Sequence, residues 1–138
     1  MFWRRRFYRS PETKINPGQL KRFLRLPGKI IVRQLTLWWD GNDTTGSIDS
    51  KWIIKIDGEE VLNMSLRFLR RHFTLFSTST HSDRPVVNCI WNDSTKQYGF
   101  HLHDLGCVDE SIEVWAKNED VDNGATLYVG IVYDVIKK

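Results

Sequence analysis

The stretch ATLYVGIVYDVI, residues 125–136, decides the fold because its side chains alternate with a period of two. In an extended strand, such alternation separates two faces. One face carries Ala125, Leu127, Val129, Ile131, Tyr133 and Val135. The other face is also largely apolar, and a strand that is apolar on both faces is typical of the centre of a sheet. We therefore predict that residues 125–136 form a central strand.

The same period of two recurs from residue 29 onward, between segments rich in turn-forming residues. Predicted strands cover, approximately, residues 30–39, 51–57, 72–78, 85–91, 97–103 and 111–117. The pair Asp57-Gly58 is a strong signal for a two-residue hairpin turn. About seven to nine short strands at this spacing predict an all-β protein. We expect an antiparallel β-sandwich, and we favour a jelly roll over an immunoglobulin-like sandwich or a small barrel.

Two short segments have a helical rather than an alternating pattern. In residues 19–26, QLKRFLRL, apolar side chains recur at the spacing of a helix face. A helix of this length is marginal in water and needs a surface on which to dock. Residues 65–71, SLRFLRR, predict a helical connection in which Ser65 is the N-cap and Leu66 and Leu69 face inward. The fold is therefore expected to contain one or two short helices.

Charge is divided unevenly along the chain. Residues 1–33 hold ten basic side chains and one acidic side chain, whereas residues 34–138 hold ten basic and sixteen acidic side chains. A basic segment of this kind commonly contacts nucleic acid, an anionic membrane surface or an acidic partner. We predict a basic, aromatic N-terminal arm over residues 1–28 and a β-sandwich domain over residues 29–138.

The predicted arm interleaves arginines with aromatic side chains. Its candidate binding residues are Trp3, Arg4, Arg5, Arg6, Phe7, Tyr8, Arg9, Lys21, Arg22 and Arg25. Aromatic rings stack on bases while arginines neutralise phosphates, so one role is nucleic-acid binding. The same residues suit an arm that anchors in a groove of a neighbouring subunit, and they also suit a segment that packs on its own domain. The sequence leaves these three alternatives open.

Length and composition exclude several classes of protein. The chain has 138 residues and a mass of 16.3 kDa, enough for one domain with a substantial core. We expect no transmembrane segment and no signal peptide, because no apolar run is long enough for either. Two cysteines are too few for a disulfide-rich scaffold. Cys89 is predicted to be a buried thiol and Cys107 an exposed one, and the sequence does not show whether they pair.

The best metal-ligand candidates are His101 and His103, which flank Leu102 in a predicted strand. Alternation places both imidazoles on one face, about 6.5–7 Å apart. A metal centre needs at least one further ligand, and the surrounding sequence has no zinc-protease pattern. We therefore interpret the pair as two outward histidines opposite a core face, and we predict neither a metal site nor a cofactor. The acidic loop 118–123 has oxygen ligands that suit calcium but lacks EF-hand spacing, so a solvated hairpin loop is the favoured interpretation.

Tryptophan is frequent in the predicted strands. Because Trp38 and Trp39 are adjacent, alternation places one of them on the outer face, and Trp115 also alternates with predicted core residues. Outward tryptophans are typical of subunit interfaces. They also form stacking platforms for sugar rings. Trp38, Trp39 and Trp115 are therefore candidate interface or ligand-binding aromatics.

The order of a basic arm, a long first strand, about eight strands and a chain-ending strand resembles the single jelly-roll domains of small viral coat and virion proteins. The residues that carry the resemblance are Arg4-Arg5-Arg6, the closing run GATLYVGIVYDV (124–135) and the segment FHLHDLGCVDESIEVWAKNED (100–120). The resemblance implies a virion location, after a soluble stage in the host cytoplasm. It also implies binding to copies of the same chain and to other virion proteins.

The sequence thus favours a non-enzymatic virion structural protein that acts as a coat, decoration or spike-associated component. No G-x-S-x-G, Walker A or G-x-G-x-x-G pattern is present, which supports a role without catalysis. The alternative is a β-sandwich module that binds carbohydrate or another ligand through its outward tryptophans.

Overall fold

The computed structural model describes residues 2–41, 48–73 and 88–137, with backbone only for residues 2, 3, 72, 73, 88 and 137. The strands are β1 (Phe2–Arg9), β2 (Thr13–Ile15), β3 (Leu20–Pro27), β4 (Ile30–Asp40), β5 (Lys51–Ile56), β6 (Glu59–Ser65), β7 (Asn88–Asn92), β8 (Gln97–Val108), β9 (Ser111–Lys117) and β10 (Ala125–Lys137). One helix, α1 (Leu66–Phe73), follows β6. Most of the strand predicted over residues 72–78, and the start of the one over 85–91, lie outside the described residues.

The strands form two antiparallel sheets. The first sheet has the order β1-β10-β4-β8-β7, and β2 also pairs with β10. The second sheet has the order β3-β9-β5-β6. The prediction of an all-β protein with the architecture of an antiparallel β-sandwich is confirmed.

The strand pairs are nested along the chain. The innermost pair is β5 with β6, joined by the two-residue turn at Asp57-Gly58. Outside it lie β4 with β8 and β3 with β9, and the outermost pairs join β1 and β2 to β10. Contacts of β10 with β4 and of β5 with β9 then complete the two sheets. The chain therefore folds as a long antiparallel ribbon that is rolled into two layers.

The last strand has the central position that its sequence predicts. β10 lies between β1 and β4, and its inner face is buried at Ala125, Leu127, Val129 and Ile131. A register shift between Val132 and Tyr133 interrupts the pairing with β4. The prediction of a central strand over residues 125–136 is therefore confirmed.

The core lies between the inner faces of the two sheets. Its largest fully buried side chains include Trp39, Tyr98 and Phe100 from the first sheet and Trp52 from the second. The Trp39 and Trp52 rings meet edge to face, with centroids 6.2 Å apart and an interplanar angle of 89°. Such a geometry adds to the burial of apolar surface, so this pair joins the two layers.

The predicted helix over residues 19–26 is wrong, because Leu20–Pro27 form strand β3 paired with β9. The register shifts between Arg22 and Leu24, so an extra residue, Phe23, is inserted into the strand as in a β-bulge. Phe23 packs against Trp52 and its neighbour Leu24 is buried. Because the consecutive residues Phe23 and Leu24 both contact the core, the apolar residues of this segment recur at a spacing similar to that of a helix face. Strand pairing also satisfies backbone groups that an isolated short helix would leave exposed.

The second predicted helix is confirmed as α1. The backbone N–H of Phe68 donates a hydrogen bond to Ser65 Oγ at 3.2 Å, as expected for an N-cap bonded to the third helical residue. Leu66 and Leu69 are fully buried, whereas Phe68 is 57% exposed. The helix continues through Phe73, where the sequence predicts a strand from residue 72.

The N-terminal segment is not a separate arm among the residues that the structure describes. Strands β1 and β2 pair with β10 in the first sheet, and β3 pairs with β9 in the second. Each sheet therefore contains strands from both sides of the boundary predicted between residues 28 and 29. The predicted basic arm is not confirmed, and its residues contribute strands β1, β2 and β3 to the two sheets.

Candidate interaction surface

Strand β1 is an edge strand that pairs with β10 along its whole length, from Phe2 opposite Lys137 to Arg9 opposite Gly130. No other strand of the described chain pairs with its second edge. Residues 4–9 are all exposed, and the exposed fraction is 76% for Phe7 and 47% for Tyr8. An edge of this length, with exposed aromatic rings and backbone groups that no described strand pairs with, is able to pair with another strand.

An ion-pair cluster around Asp134 anchors the middle of β1. Arg5 Nε donates to Asp134 Oδ1 at 2.7 Å, and Arg33 Nε donates to Oδ2 at 2.7 Å. The Asp134 side chain is only 5% exposed, whereas Arg5 and Arg33 are 53% and 42% exposed. Hydrogen bonds from Arg5 first, and from Arg33 second, lower the pKa of Asp134 to about 2. The carboxylate therefore links strands β1, β10 and β4 on the outer face of the first sheet.

A second set of contacts holds the end of β1. The Arg9 guanidinium lies 3.9 Å from the centre of the Tyr128 ring, and its Nη2 atom is 3.1 Å from Glu12 Oε1. The buried Ser10 accepts a hydrogen bond from the Val129 N–H through its Oγ at 2.9 Å. The Ser10 N–H donates to the Val129 carbonyl at 2.8 Å. Because β1 is held at its middle and at its C-terminal end, its exposed edge has a defined extended conformation.

The two faces of β1 differ in how their arginines are bound. Arg5 and Arg9 lie on the outer face of the sheet and are paired with Asp134 and Glu12, respectively. Arg4 and Arg6 alternate with them on the opposite face, and neither forms an ion pair with a residue that the structure describes. Tyr8 shares their face. These two guanidinium groups are therefore available to an anionic partner.

The cationic candidates of β3 lie on the same side of the sandwich as β1. Strand β3 is the edge of the second sheet, and it is contacted by β2 and β10 of the first sheet. Lys21 Nζ donates to the Lys14 carbonyl at 3.3 Å, and Arg22 pairs with Glu113 at 3.4 Å. Arg25 is exposed. Most of the predicted basic residues therefore lie on one side of the sandwich. The side chain of Trp3 lies outside the described part of the structure.

The three candidate tryptophans occupy three different environments. Trp39 is fully buried in the core, so its prediction as an interface or ligand-binding residue is wrong. Trp38 lies on the outer face of the first sheet and stacks on Tyr128, with centroids 6.2 Å apart. Trp115 lies half-buried on the outer face of the second sheet, with Lys55 Nζ 5.2 Å from its ring centre. One of the two adjacent tryptophans thus faces outward, as alternation predicts.

Gly99 gives Trp38 room to lie against the sheet. A Cβ atom at Gly99 would stand 2.9 Å from Trp38 Cε3, whereas one at Gly130 would meet Thr36 Cβ at an ordinary 3.5 Å. We predict that Gly99→Ala lowers the free energy of unfolding by about 1–3 kcal/mol, because the rigid indole has to tilt away from its packed position. Gly130→Ala is the matched control and should change stability little. Equal urea midpoints for the two variants would contradict this account.

The histidine pair has the arrangement that the sequence predicts. His101 and His103 are half-buried on the outer face, opposite the core residues Tyr98, Phe100 and Leu102. Gln34 Nε2 is 2.9 Å from His101 Nδ1, and the two imidazole centroids are 6.5 Å apart. Burial first, and the neighbouring imidazole second, lower the pKa of His101. Within the described ranges, no group of three or more potential ligands is placed to hold a metal ion.

The cysteines match their predicted environments, whereas the loop 118–123 is not the predicted hairpin loop, because it connects β9 of the second sheet to β10 of the first. Cys89 is buried, which raises the pKa of its thiol to about 11, and Cys107 is exposed. Both are free thiols. In the loop 118–123, Asp120 Oδ1 accepts hydrogen bonds from the backbone N–H groups of Asp122 and Asn123. The acidic loop is therefore held by side chains that bond to its own backbone, as in Asx turns.

Sequence reasoning missed two carboxylates that join separate parts of the fold. Asp134 joins three strands on this surface, and Asp57 joins the β5–β6 turn to the turn between β8 and β9. Asp134 carries a recognisable signal, since it is the only acidic residue within an otherwise apolar run of residues 125–136. Its partners, however, lie far away in sequence. Asp57 Oδ1 accepts backbone N–H bonds from Glu110 at 2.6 Å and Ser111 at 3.1 Å, and the first of these bonds is the main cause of the lowered pKa of Asp57.

No protein family and no curated protein matches the chain. Within the described residues, no helix has the length and apolar character needed to span a membrane.

Proposed function

We propose that the chain is a non-enzymatic structural protein of a virus particle, and that it binds copies of itself and other shell proteins. In this proposal the fold is a jelly roll. Support comes from the nested pairing of β5 with β6, β4 with β8, β3 with β9, and β1 and β2 with β10. Rolling one long antiparallel ribbon into two layers gives this order, with β7 and β2 as the additional strands of the six-stranded first sheet.

The observation that carries the proposal is the β1 edge. It presents eight residues of extended backbone, and residues 4–9 are exposed on both faces. Folded proteins usually shorten, cover or distort an edge that would otherwise join another chain. Here the ion pairs of Asp134 and the hydrogen bonds between Ser10 and Val129 hold the edge in an extended conformation instead. Such a strand serves best as a binding element for a further subunit or shell protein.

The proposal assigns the charged groups of this surface a structural rather than a catalytic role. Asp134 and Asp57 have lowered pKa values because each accepts several hydrogen bonds that join separate strands or turns. A carboxylate held in its ionised form by such bonds is a poor general acid at neutral pH. The location that goes with the proposal is the virion, after a soluble stage in the host cytoplasm.

We expect the double substitution Phe7→Ala and Tyr8→Ala to weaken self-association of the full chain by roughly tenfold or more. Exposed aromatic residues at the centre of an interface commonly contribute more than about 1 kcal/mol each to binding. Sedimentation velocity over a range of concentrations measures the effect. The control is Val121→Ala, which removes an 81% exposed apolar side chain from a loop. If both variants associate as the wild type does, β1 is not the binding element.

A carbohydrate-binding module is the second candidate, and one observation favours it. Trp38 and Tyr128 form a stacked pair on the outer face of the first sheet, with Arg9 against the Tyr128 ring. Such a pair presents aromatic surface to a sugar ring. Glycan-array binding that disappears in Trp38→Ala but persists in Phe7→Ala/Tyr8→Ala would favour this candidate over assembly.

A further inference from the structure

The edge of the second sheet opposite β3 has a chemical character that complements β1. Strand β6 forms this edge, and its first three residues, Glu59, Glu60 and Val61, are all exposed. Val61 is 54% exposed. We call residues 59–61 the acidic edge. It offers two carboxylates and one apolar side chain, whereas β1 offers arginines and two exposed aromatic rings.

A neighbouring turn increases the negative charge beside the acidic edge. Asp57, two residues before Glu59, binds the backbone N–H groups of Asp109, Glu110 and Ser111 with its carboxylate. This contact places the exposed side chains of Asp109 and Glu110 at the same end of the sandwich as the β5–β6 turn. The basic residues of α1 follow β6 at its other end, and one of them is paired with Asp49. Lys55 lies opposite Glu60 in the register, and Asn63 Nδ2 donates to Glu60 Oε1 at 2.8 Å. Together with Glu59 and this turn, the start of β6 still carries more acidic than basic side chains.

Pairing of β1 with the β1 strand of a second copy is disfavoured by charge. Four of its eight residues are arginines, so an antiparallel self-pair brings like charges opposite or diagonal to one another. Like charges in such positions destabilise a sheet. Pairing of β1 with the acidic edge replaces this repulsion by attraction.

We propose that the unpaired edge of β1 in one copy pairs with the acidic edge of β6 in a second copy, an inference that rests on the proposed assembly function. The contact joins the first sheet of one subunit to the second sheet of the next. Because the two surfaces differ, the interface is heterologous and continues from copy to copy. The assembly is then a ring, tube or filament rather than a closed two-fold dimer.

The test uses charge reversal in the full-length chain. The first variant is Arg4→Glu/Arg6→Glu, and the second is Glu59→Lys/Glu60→Lys. The matched control is Glu119→Lys/Asp122→Lys, which reverses two acidic residues in the β9–β10 loop. We expect each of the first two variants to lose association by at least about tenfold, while the control assembles as the wild type does. Circular dichroism and thermal melting verify that all three are folded.

Mixing the two variants gives the decisive result. In the mixture, the basic β1 of the second variant pairs with the acidic β6 of the first variant. The acidic, charge-reversed β1 of the first variant pairs with the basic, charge-reversed β6 of the second. Every interface therefore again joins opposite charges. We expect the mixture, but neither variant alone, to assemble. Pairing between two β1 strands predicts instead that the Glu59→Lys/Glu60→Lys variant assembles normally. That result overturns this inference and leaves the proposed function intact, whereas a monomeric wild type overturns the proposed function itself.

Discussion

Replacing Trp52 with alanine should lower the free energy of unfolding by about 3–5 kcal/mol. Trp52 is fully buried and belongs to the second sheet, where it packs edge to face against Trp39 of the first sheet at a centroid distance of 6.2 Å. It also contacts Phe23 at 6.1 Å. Removal of the indole leaves a cavity between the two layers that a sandwich of paired strands cannot close.

The control for this prediction is Trp38→Ala. Trp38 has the same side chain but lies half-buried on the outer face, where solvent replaces the lost contacts. We expect Trp38→Ala to lower the free energy of unfolding by less than half as much as Trp52→Ala does, as measured by urea denaturation at equilibrium. Equal losses in the two variants would contradict the assignment of Trp52 to the core between the sheets.

We expect Asp134→Asn to lower the free energy of unfolding, and we expect the size of this loss to depend on pH. The folded state holds the pKa of Asp134 at about 2, below its ordinary value of 3.8, because Arg5 and Arg33 donate to the carboxylate. A lowered pKa stabilises the folded state above the ordinary value. That stabilisation is lost as the pH falls from about 4 towards 2. The neutral amide of asparagine cannot supply it at any pH.

Melting temperature measured from pH 7 down to about pH 2 tests this account. We expect Asp134→Asn to melt at a lower temperature than the wild type at pH 7. Below about pH 4 its curve should fall less steeply than that of the wild type, so that the two converge. The control is Glu12→Gln, since Glu12 is 63% exposed and its pair with Arg9 contributes little. Parallel curves for wild type and Asp134→Asn would show that the ion-pair cluster does not stabilise β1.

Much of the strand pattern is predictable because it depends on neighbouring residues. Alternation identifies β4, β5, β9 and β10, and the Asp57-Gly58 signal identifies the β5–β6 turn. Ser65 followed by inward leucines identifies α1. Strand β3 is not predictable in this way, because the bulge at Phe23 places two consecutive apolar residues against the core. The local pattern is then the same as that of a short helix.

The candidate surface is less predictable because its geometry depends on residues far apart in sequence. Alternation shows that Trp38 and Trp39 face opposite ways, but only the sheet order shows that Trp39 is the inner one. The arginines of residues 4–9 suggest a flexible arm until Asp134 and Ser10 are seen to fix them against β10. The acidic edge of β6 suggests a binding site only once the sheet order shows that β1 has an exposed edge of opposite charge.

In the proposed function, this β-sandwich acts by joining its edges to further subunits. Electron microscopy of the purified full-length chain, combined with sedimentation velocity at rising concentration, tests it most directly. We expect rings, tubes, filaments or shells built from repeated subunits, which dissociate as salt is raised. Particles that stay at the 16.3 kDa mass of one chain at every concentration and at low salt would contradict it.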